Sequence, residues 1–429
     1  MKKKYRIILY TSIFLLCVVA SIILVVKKSN SVYEEESKPK VVKHKSMLSM
    51  NLEQTAGAGD YKTVTQSKWP TEGYKFNAEL SRCENGSTLS WDDTKKAVIV
   101  SGNLSDKCYV YFDIYQPTLA EYIKSQYTGT QGENNIYYHD SDLANGAGDN
   151  SYRYAGANPN NFVCFGSDTS PCPTDNLYRI IGVFGENYHG VTGKQLVKLI
   201  KYDYMTTDEL GTDGDYSQTY KEWGMDSTYK GTYGDGERIG VYYWNYKATG
   251  SSTNTWSTSL LNKTNLNTNF INNIGTTWAN KIATVTWKVG GNTYANISDV
   301  VPATTYQNEI VNPVTTNTTD NATTYSAKIG LMYVSDYGFA ASPDAWTLTM
   351  SSYNNTTAKN NNWMYMGLYE WTISRYAGGS SSAFNVGYDG DVGNDRVNGN
   401  RGVRASFSLE SSVSYVSGSG SMSDPIVIN

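Results

Sequence analysis

The most constraining feature of this chain is an apolar run over residues 7–26. At about 1.5 Å per residue, a helix of that length spans a hydrocarbon core roughly 30 Å thick. Lys2-Lys3-Lys4-Tyr5-Arg6 precede it, and Lys27 and Lys28 close it. The run is longer than the apolar core of a cleaved signal peptide and ends on the bulky Ile22-Ile23-Leu24-Val25-Val26. Cys17 comes after Phe14-Leu15-Leu16, without the small residue expected before a lipoprotein cysteine. The expectation is a signal anchor, residues 1–28, that stays as one transmembrane helix. Glu34-Glu35-Glu36 partly offset Lys27 and Lys28, so the positive-inside rule places the bulk of the chain outside the cell.

The chain beyond the anchor is sparsely charged. Charged residues are 18%, aromatic residues 13%, and there are 36 Tyr and 38 Gly. That composition suits a loop-rich extracellular β or α+β protein, and its aromatic content is too high for disorder. Net charge is −4 with no basic stripe beyond the N-terminus, which argues against a nucleic-acid partner. Besides Cys17 there are two sequence-local pairs, Cys83/Cys108 and Cys164/Cys172. An even number outside the span points to disulfides in an oxidising compartment, the alternative being free buried thiols.

Residues 29–68 are polar and weakly patterned, which reads as a stalk. Residues 69–116 alternate at Tyr74, Phe76, Ala78 and Leu80, and again at Cys108, Val110 and Phe112. A β domain of that size has a thin core, and a Cys83–Cys108 bridge would staple it. Residues 117–429 form the distal domain. There 118–126 reads as a short helix and 134–161 as a polar loop. Residues 177–184 and 195–201 read as a hairpin, and 256–282 as one or two amphipathic helices broken near Gly275. Residues 328–334 read as an apolar strand. Near the end, 371–375 and 403–409 read as strands flanking a Gly/Ser/Asn/Asp loop, 376–401.

Several phrases resemble Gram-positive surface proteins of unknown function: Tyr152-Arg153-Tyr154-Ala155-Gly156, Tyr178-Arg179-Ile180-Ile181-Gly182, Trp256-Ser257-Thr258-Ser259-Leu260, Ile329-Gly330-Leu331-Met332-Tyr333 and Gly402-Val403-Arg404. The later ones resemble the formylglycine-generating branch of the C-type-lectin-like fold, over roughly residues 150–429. The resemblance implies an α+β, loop-rich C-type-lectin-like head with two helices on twisted strands. The closing strand 402–409 would pair centrally. That enzyme branch needs late cysteines for copper, and this chain has none after Cys172. The Glu-Pro-Asn, Gln-Pro-Asp and Trp-Asn-Asp triplets of calcium-dependent lectins are also missing.

No H-E-x-x-H, G-x-S-x-G, P-loop or dinucleotide fingerprint occurs, and the only histidines are His44, His139 and His189. No catalytic set emerges. Tyr376, Phe384 and Tyr388 are the aromatic residues with the best claim to exposure in the 376–401 loop, with Arg396 and Arg401 as rim contacts. Trp371 and Arg404 read as structural. Asp389, Asp391 and Asp395 are a calcium candidate, weighed against an ordinary Asp/Gly-rich turn, which is favoured; no other cofactor is implied. The resulting expectation is a membrane-anchored surface protein binding an extracellular protein or glycan. The alternatives are an envelope enzyme acting on glycans through loop carboxylates and a purely structural surface protein.

Overall fold

The computed structural model describes residues 48–429 apart from 66–67, 71–72, 221–228, 233–237, 293–296 and 314–321. The chain divides into two compact units that meet between Gln116 and Pro117.

In the first unit the period-two pattern becomes β1 (Leu48–Glu53), β2 (Tyr61–Val64), β3 (Tyr74–Cys83), β4 (Thr88–Asp92), β5 (Ala97–Ser101) and β6 (Cys108–Ile114). Four of these form a sheet in the order β2-β1-β6-β3, and β4 and β5 form a hairpin. β1 runs parallel to β6, whereas β2 and β3 are antiparallel to their neighbours. The core is small: Met50, Leu52, Val98, Val110 and Phe112 are buried. Phe112 is its centre, with the rings of Trp69, Phe76 and Trp91 at 5.9, 5.9 and 5.6 Å. Cys83 lies directly opposite Cys108 in the β3–β6 register, and the two are joined by a disulfide. The Asp106 carboxylate accepts from the backbone N–H groups of Asn85 and Ser87, which fixes the turn into β4.

The second unit has β7 (Ile136–His139), β8 (Ser151–Tyr154), β9 (Phe162–Cys164), β10 (Leu177–Phe184), β11 (Leu196–Lys201), β12 (Tyr216–Thr219), β13 (Gly240–Tyr243), β14 (Val285–Lys288), β15 (Gly291–Asn292), β16 (Thr324–Ala327) and β17 (Ile329–Gly330). It continues with β18 (Glu370–Tyr376), β19 (Ser382–Val386), β20 (Val392–Arg396), β21 (Asn400–Arg401), β22 (Ser406–Ser408), β23 (Tyr415–Ser417) and β24 (Val427–Ile428). The main sheet has the order β17-β22-β11-β10-β8-β7, with β9 also pairing β10. Every residue of β10 and β11 is buried, so both faces of this sheet are covered. β22 lies between β17 and β11, and Phe407 is opposite both Ile329 and Leu199. A second sheet, β15-β18-β19-β20, carries the C-terminal meander.

Helices are short. Leu119–Ser125 starts on a capping box, Thr118 with Glu121. The 256–282 region is helical, but its first part, Leu261–Phe270, winds as a π-helix. Ile271–Ala279 continues as α-helix with Gly275 in a non-helical conformation. Asparagines explain the placement of the wide turns. Asn265 Nδ2 donates to the Leu210 carbonyl, while Asn267 donates to the Ile329 carbonyl and accepts from its N–H, completing the edge of β17.

The expected architecture needs correction. The described residues are β-rich, with 35% strand against 21% helix, and do not form an α+β C-type-lectin-like head built on two helices. Among the described residues no helix is long and apolar enough to cross a membrane. The run 7–26, its anchor role and Cys17 lie outside the described residues. Residues 48–64, assigned to the stalk, are the two strands β1 and β2. The polar loop 134–161 contains β7 and β8. The apolar strand 328–334 is cut short after Gly330, and Val334–Ala340 is a helix because Asp336 caps its first turn. Both cysteine pairs outside the span are disulfides, Cys83–Cys108 and Cys164–Cys172.

The two disulfides close loops of very different length, with separations of 25 and 8 residues. Loop-closure entropy then assigns about 3.5 kcal/mol to the first and about 2.5 kcal/mol to the second. Denaturant titration of the Cys83→Ala/Cys108→Ala double variant should show the transition of the first unit moved by about that larger amount. A shift below about 1 kcal/mol would mean the Phe112 core is self-sufficient.

Candidate functional site

The segment 376–401 is not an open loop. β18, β19 and β20 form an antiparallel meander with pairs such as Glu370–Val386 and Phe384–Asn394. β18 is bolted into the interior by indoles: Trp371 Nε1 donates to the Tyr242 carbonyl, and Trp244 Nε1 donates to the Thr372 carbonyl, both at 2.9 Å. Thr372 Oγ1 donates to the Phe384 carbonyl.

The sequence-selected residues consequently separate. Phe384 is fully buried and belongs to the core, because β19 is an inner strand of the meander whose residues Ala383, Phe384, Asn385 and Val386 are all buried. Tyr376 is half-buried with its ring against Phe384, at the turn where Asn254 Nδ2 donates to the Tyr376 and Ser382 carbonyls. Arg396 is exposed at the end of β20. Arg401 is 8% exposed; it is ion-paired with Asp395 and its guanidinium lies 4.6 Å from the centre of the Tyr369 ring. Only Tyr388, 39% exposed, is open to solvent as an aromatic anchor should be.

The three aspartates do not converge. Asp389 and Asp391 lie together on the turn between β19 and β20, whereas Asp395 is four residues along β20, about 13 Å of extended chain away. Among the described residues no group of three His, Cys, Asp or Glu side chains is placed to hold a metal ion. Asp389 and Asp391 are hydrogen-bonded to each other, and burial followed by the Asp389 charge pushes Asp391 up to about 6. Such contact is closer than the roughly 5 Å or more that separates the carboxyls of glycoside hydrolases.

The turn carrying this pair is rigidly held. Gly387 N–H donates to the Asp391 carbonyl, and Gly390 N–H donates to the Gly387 carbonyl. From below, Tyr337 Oη donates to the Gly390 carbonyl at 2.8 Å and Tyr365 Oη to the Tyr388 carbonyl at 2.6 Å. Gly390 has φ +98°, a conformation that few L-residues adopt. Both carboxyls fold over Gly387, where a Cβ would collide with Asp391 and lie 2.8 Å from Asp389 Oδ1.

Around the turn the structure gathers residues from distant parts of the sequence. The Tyr369 and Tyr388 rings are 5.3 Å apart. Lys230 and Lys359 approach the Tyr365 ring at 5.2 and 5.6 Å. Lys230 and Lys359 give no signal in the sequence, because they reach the Tyr365 ring from distant segments, a loop and the short helix Thr356–Asn360. The arrangement presents a π-surface, a carboxyl pair able to accept hydrogen bonds, and flanking cations.

No family model, curated protein or solved structure matches this chain.

Arg404 keeps the meander in place. Its Nε and Nη2 donate to the two Glu370 oxygens at 2.8 and 2.9 Å, and Nη2 also donates to the Met364 carbonyl at 2.7 Å. Both side chains are almost fully buried. Removing one member of such a pair strands the other charge, at about 3–5 kcal/mol. Arg404→Ala should therefore destabilise the second unit by that amount in a denaturant titration. The double variant Arg404→Met/Glu370→Leu should recover much of the loss. Equal destabilisation by single and double variants would show that packing volume, not charge, matters there.

Proposed function

We propose that this protein is an exported surface-binding protein that takes a polyhydroxylated, glycan-type ligand at the turn between β19 and β20. The reading rests on one observation above the others: the exposed Tyr388 ring stands beside Tyr369 on the same rigid turn as the Asp389–Asp391 pair. A sugar offers an apolar C–H face and a rim of hydroxyl donors. A tyrosine ring complements the first and a carboxylate the second. Fixing the turn beforehand from Tyr337 and Tyr365 lowers the ordering cost of binding. Two disulfides support an oxidising, extracytoplasmic location. The length and flanking charges of residues 7–26 support attachment to the cell membrane with the remainder outside. The direct contact between Asp389 and Asp391 supports ligand capture over hydrolysis, which needs two carboxyls held apart.

The test is binding of the full-length chain to an array of neutral oligosaccharides, followed by affinity measurement on the best probe. Tyr388→Ala should weaken binding about 5- to 10-fold, the loss of one aromatic contact. Affinity should rise as pH increases through about 6, where Asp391 loses its proton and becomes a better acceptor for sugar hydroxyls. Asp391→Asn should flatten that rise. Binding that is indifferent to both substitutions places the ligand elsewhere; turnover of a glycan by the wild-type chain would replace this reading with the enzymatic one.

A further inference from the structure

The interior of the second unit contains a lysine pressed against an aspartate, both out of contact with bulk solvent. Lys198, on β11, and Asp336, in the helix Val334–Ala340, are 1% and 0% exposed at their side chains, and Lys198 Nζ is 2.6 Å from Asp336 Oδ2. The rings of Tyr333, Tyr188 and Trp287 surround the amine, at 4.3, 4.9 and 5.1 Å from it.

A third group closes the contact into a ring. Lys198 Nζ donates to Tyr188 Oη at 2.7 Å, and Tyr188 Oη donates to Asp336 Oδ1 at 2.5 Å. The hydroxyl thus bridges the amine to the far oxygen of the same carboxyl. Asp336 Oδ2 meanwhile accepts the Tyr333 backbone N–H at 2.9 Å. Arg153 Nη1 lies 3.9 Å from Oδ1, buried and without a hydrogen-bond partner of its own, while Nη2 of the same guanidinium is bound to Asp149.

We infer that Lys198 and Asp336 condense to an intramolecular amide that covalently ties β11 to the helix Val334–Ala340. The ammonium passes one proton to Tyr188 Oη while Tyr188 passes its own to Asp336 Oδ1, converting the ion pair into an amine beside a carboxylic acid. Burial lowers the proton affinity of the Lys198 amine, which helps it give up that proton. The amine lone pair then attacks Cγ, and the negative charge that develops on Oδ2 meets the Tyr333 N–H. The Oδ1 hydroxyl, beside Arg153, leaves as water, taking a proton that the nitrogen gives up through Tyr188. One C–N bond forms, one C–O bond breaks, and one water is released. Nothing is oxidised or reduced, and no co-reactant is needed.

Among the described residues, the other buried lysine with a carboxylate partner shows what this geometry adds. Lys201 Nζ is 3.2 Å from Glu209, but it also donates to the Asp175 carbonyl, and Glu209 is engaged in the capping box with Thr206. No hydroxyl joins that amine to the second oxygen of its partner. Left as an ion pair, the Lys198–Asp336 contact must keep offsetting the desolvation of two charges, whereas an amide carries none. It would also close a loop spanning 138 residues between two elements of the core.

Mass spectrometry of the denatured, reduced full-length chain decides between the two states. The wild type should weigh one water less than its sequence, and digestion should release a branched peptide joining the Lys198 and Asp336 segments. Lys198→Arg should return the mass to the full sequence value. Tyr188→Phe should slow formation of the link by about 100-fold, the loss expected for one proton-transfer group. A wild-type chain at full mass, with the two segments recovered as separate peptides, overturns the proposal. A link that forms equally fast in Tyr188→Phe overturns the relay and leaves the bond standing.

Discussion

The second unit depends on charge placed where water cannot reach it. Arg404 and Glu370 face each other in the core, and the guanidinium also reaches the Met364 carbonyl. That single side chain ties the start of β18 to the 363–366 segment and to the segment 402–405 leading into β22. Burying ions is unfavourable unless their geometry is complete, and here it is: a bidentate pair with the spare donors used. Arg179 is held differently, by neutral acceptors: it donates to the Asn161 side chain and the Pro159 carbonyl, with its guanidinium 4.6 Å from the Trp363 ring. Charges of this kind penalise any alternative register, because each would be left alone.

The surface turn is a product of that interior. Tyr337 and Tyr365 extend from the core and spend their hydroxyls on carbonyls of the turn at residues 387–391. Tyr388 and the Asp389–Asp391 pair are therefore carried on a fixed support. The Tyr369 ring, stacked on Arg401, borders the same place, and Arg401 is itself tied down by Asp395. The aspartate that looked like a third metal ligand is used to anchor an arginine.

Parts of this were legible in the sequence. The cysteine pairs, the alternation in β3 and β6, the hairpin β10–β11, the short helix over 118–126 and the helix break at Gly275 each have a local cause. So does the burial of Trp371 and the bracing role of Arg404. The meander was not legible, because β19 and β20 are made of Ser, Asn, Asp and Gly as much as of apolar residues. Their place is set by β18, which pairs with β19 in the same sheet while β19 in turn pairs with β20. For the same reason Phe384 passed for a loop aromatic. The Lys198–Asp336–Tyr188 ring was beyond reach as well: its members come from three elements, and a lysine inside an apolar run such as 195–201 resembles the outward-facing residue of a strand. The expected α+β head with two helices gives way to a β-rich unit, in which the 256–282 region winds partly as the asparagine-rich π-helix Leu261–Phe270 and strands outweigh helices.

The central claim is that residues 382–401 form a rigid platform held from inside, not a flexible loop. Backbone hydrogen exchange over this segment tests it most directly. Interior-anchored strands should exchange as slowly as β10 and β11 at Phe384, Asn385, Val386 and Gly387, with rapid exchange confined to residues such as Asn398 outside the pairing. Uniformly fast exchange from 382 to 401 would contradict the account, since a loop free enough to exchange that way could not hold Tyr388 and the carboxyl pair in place.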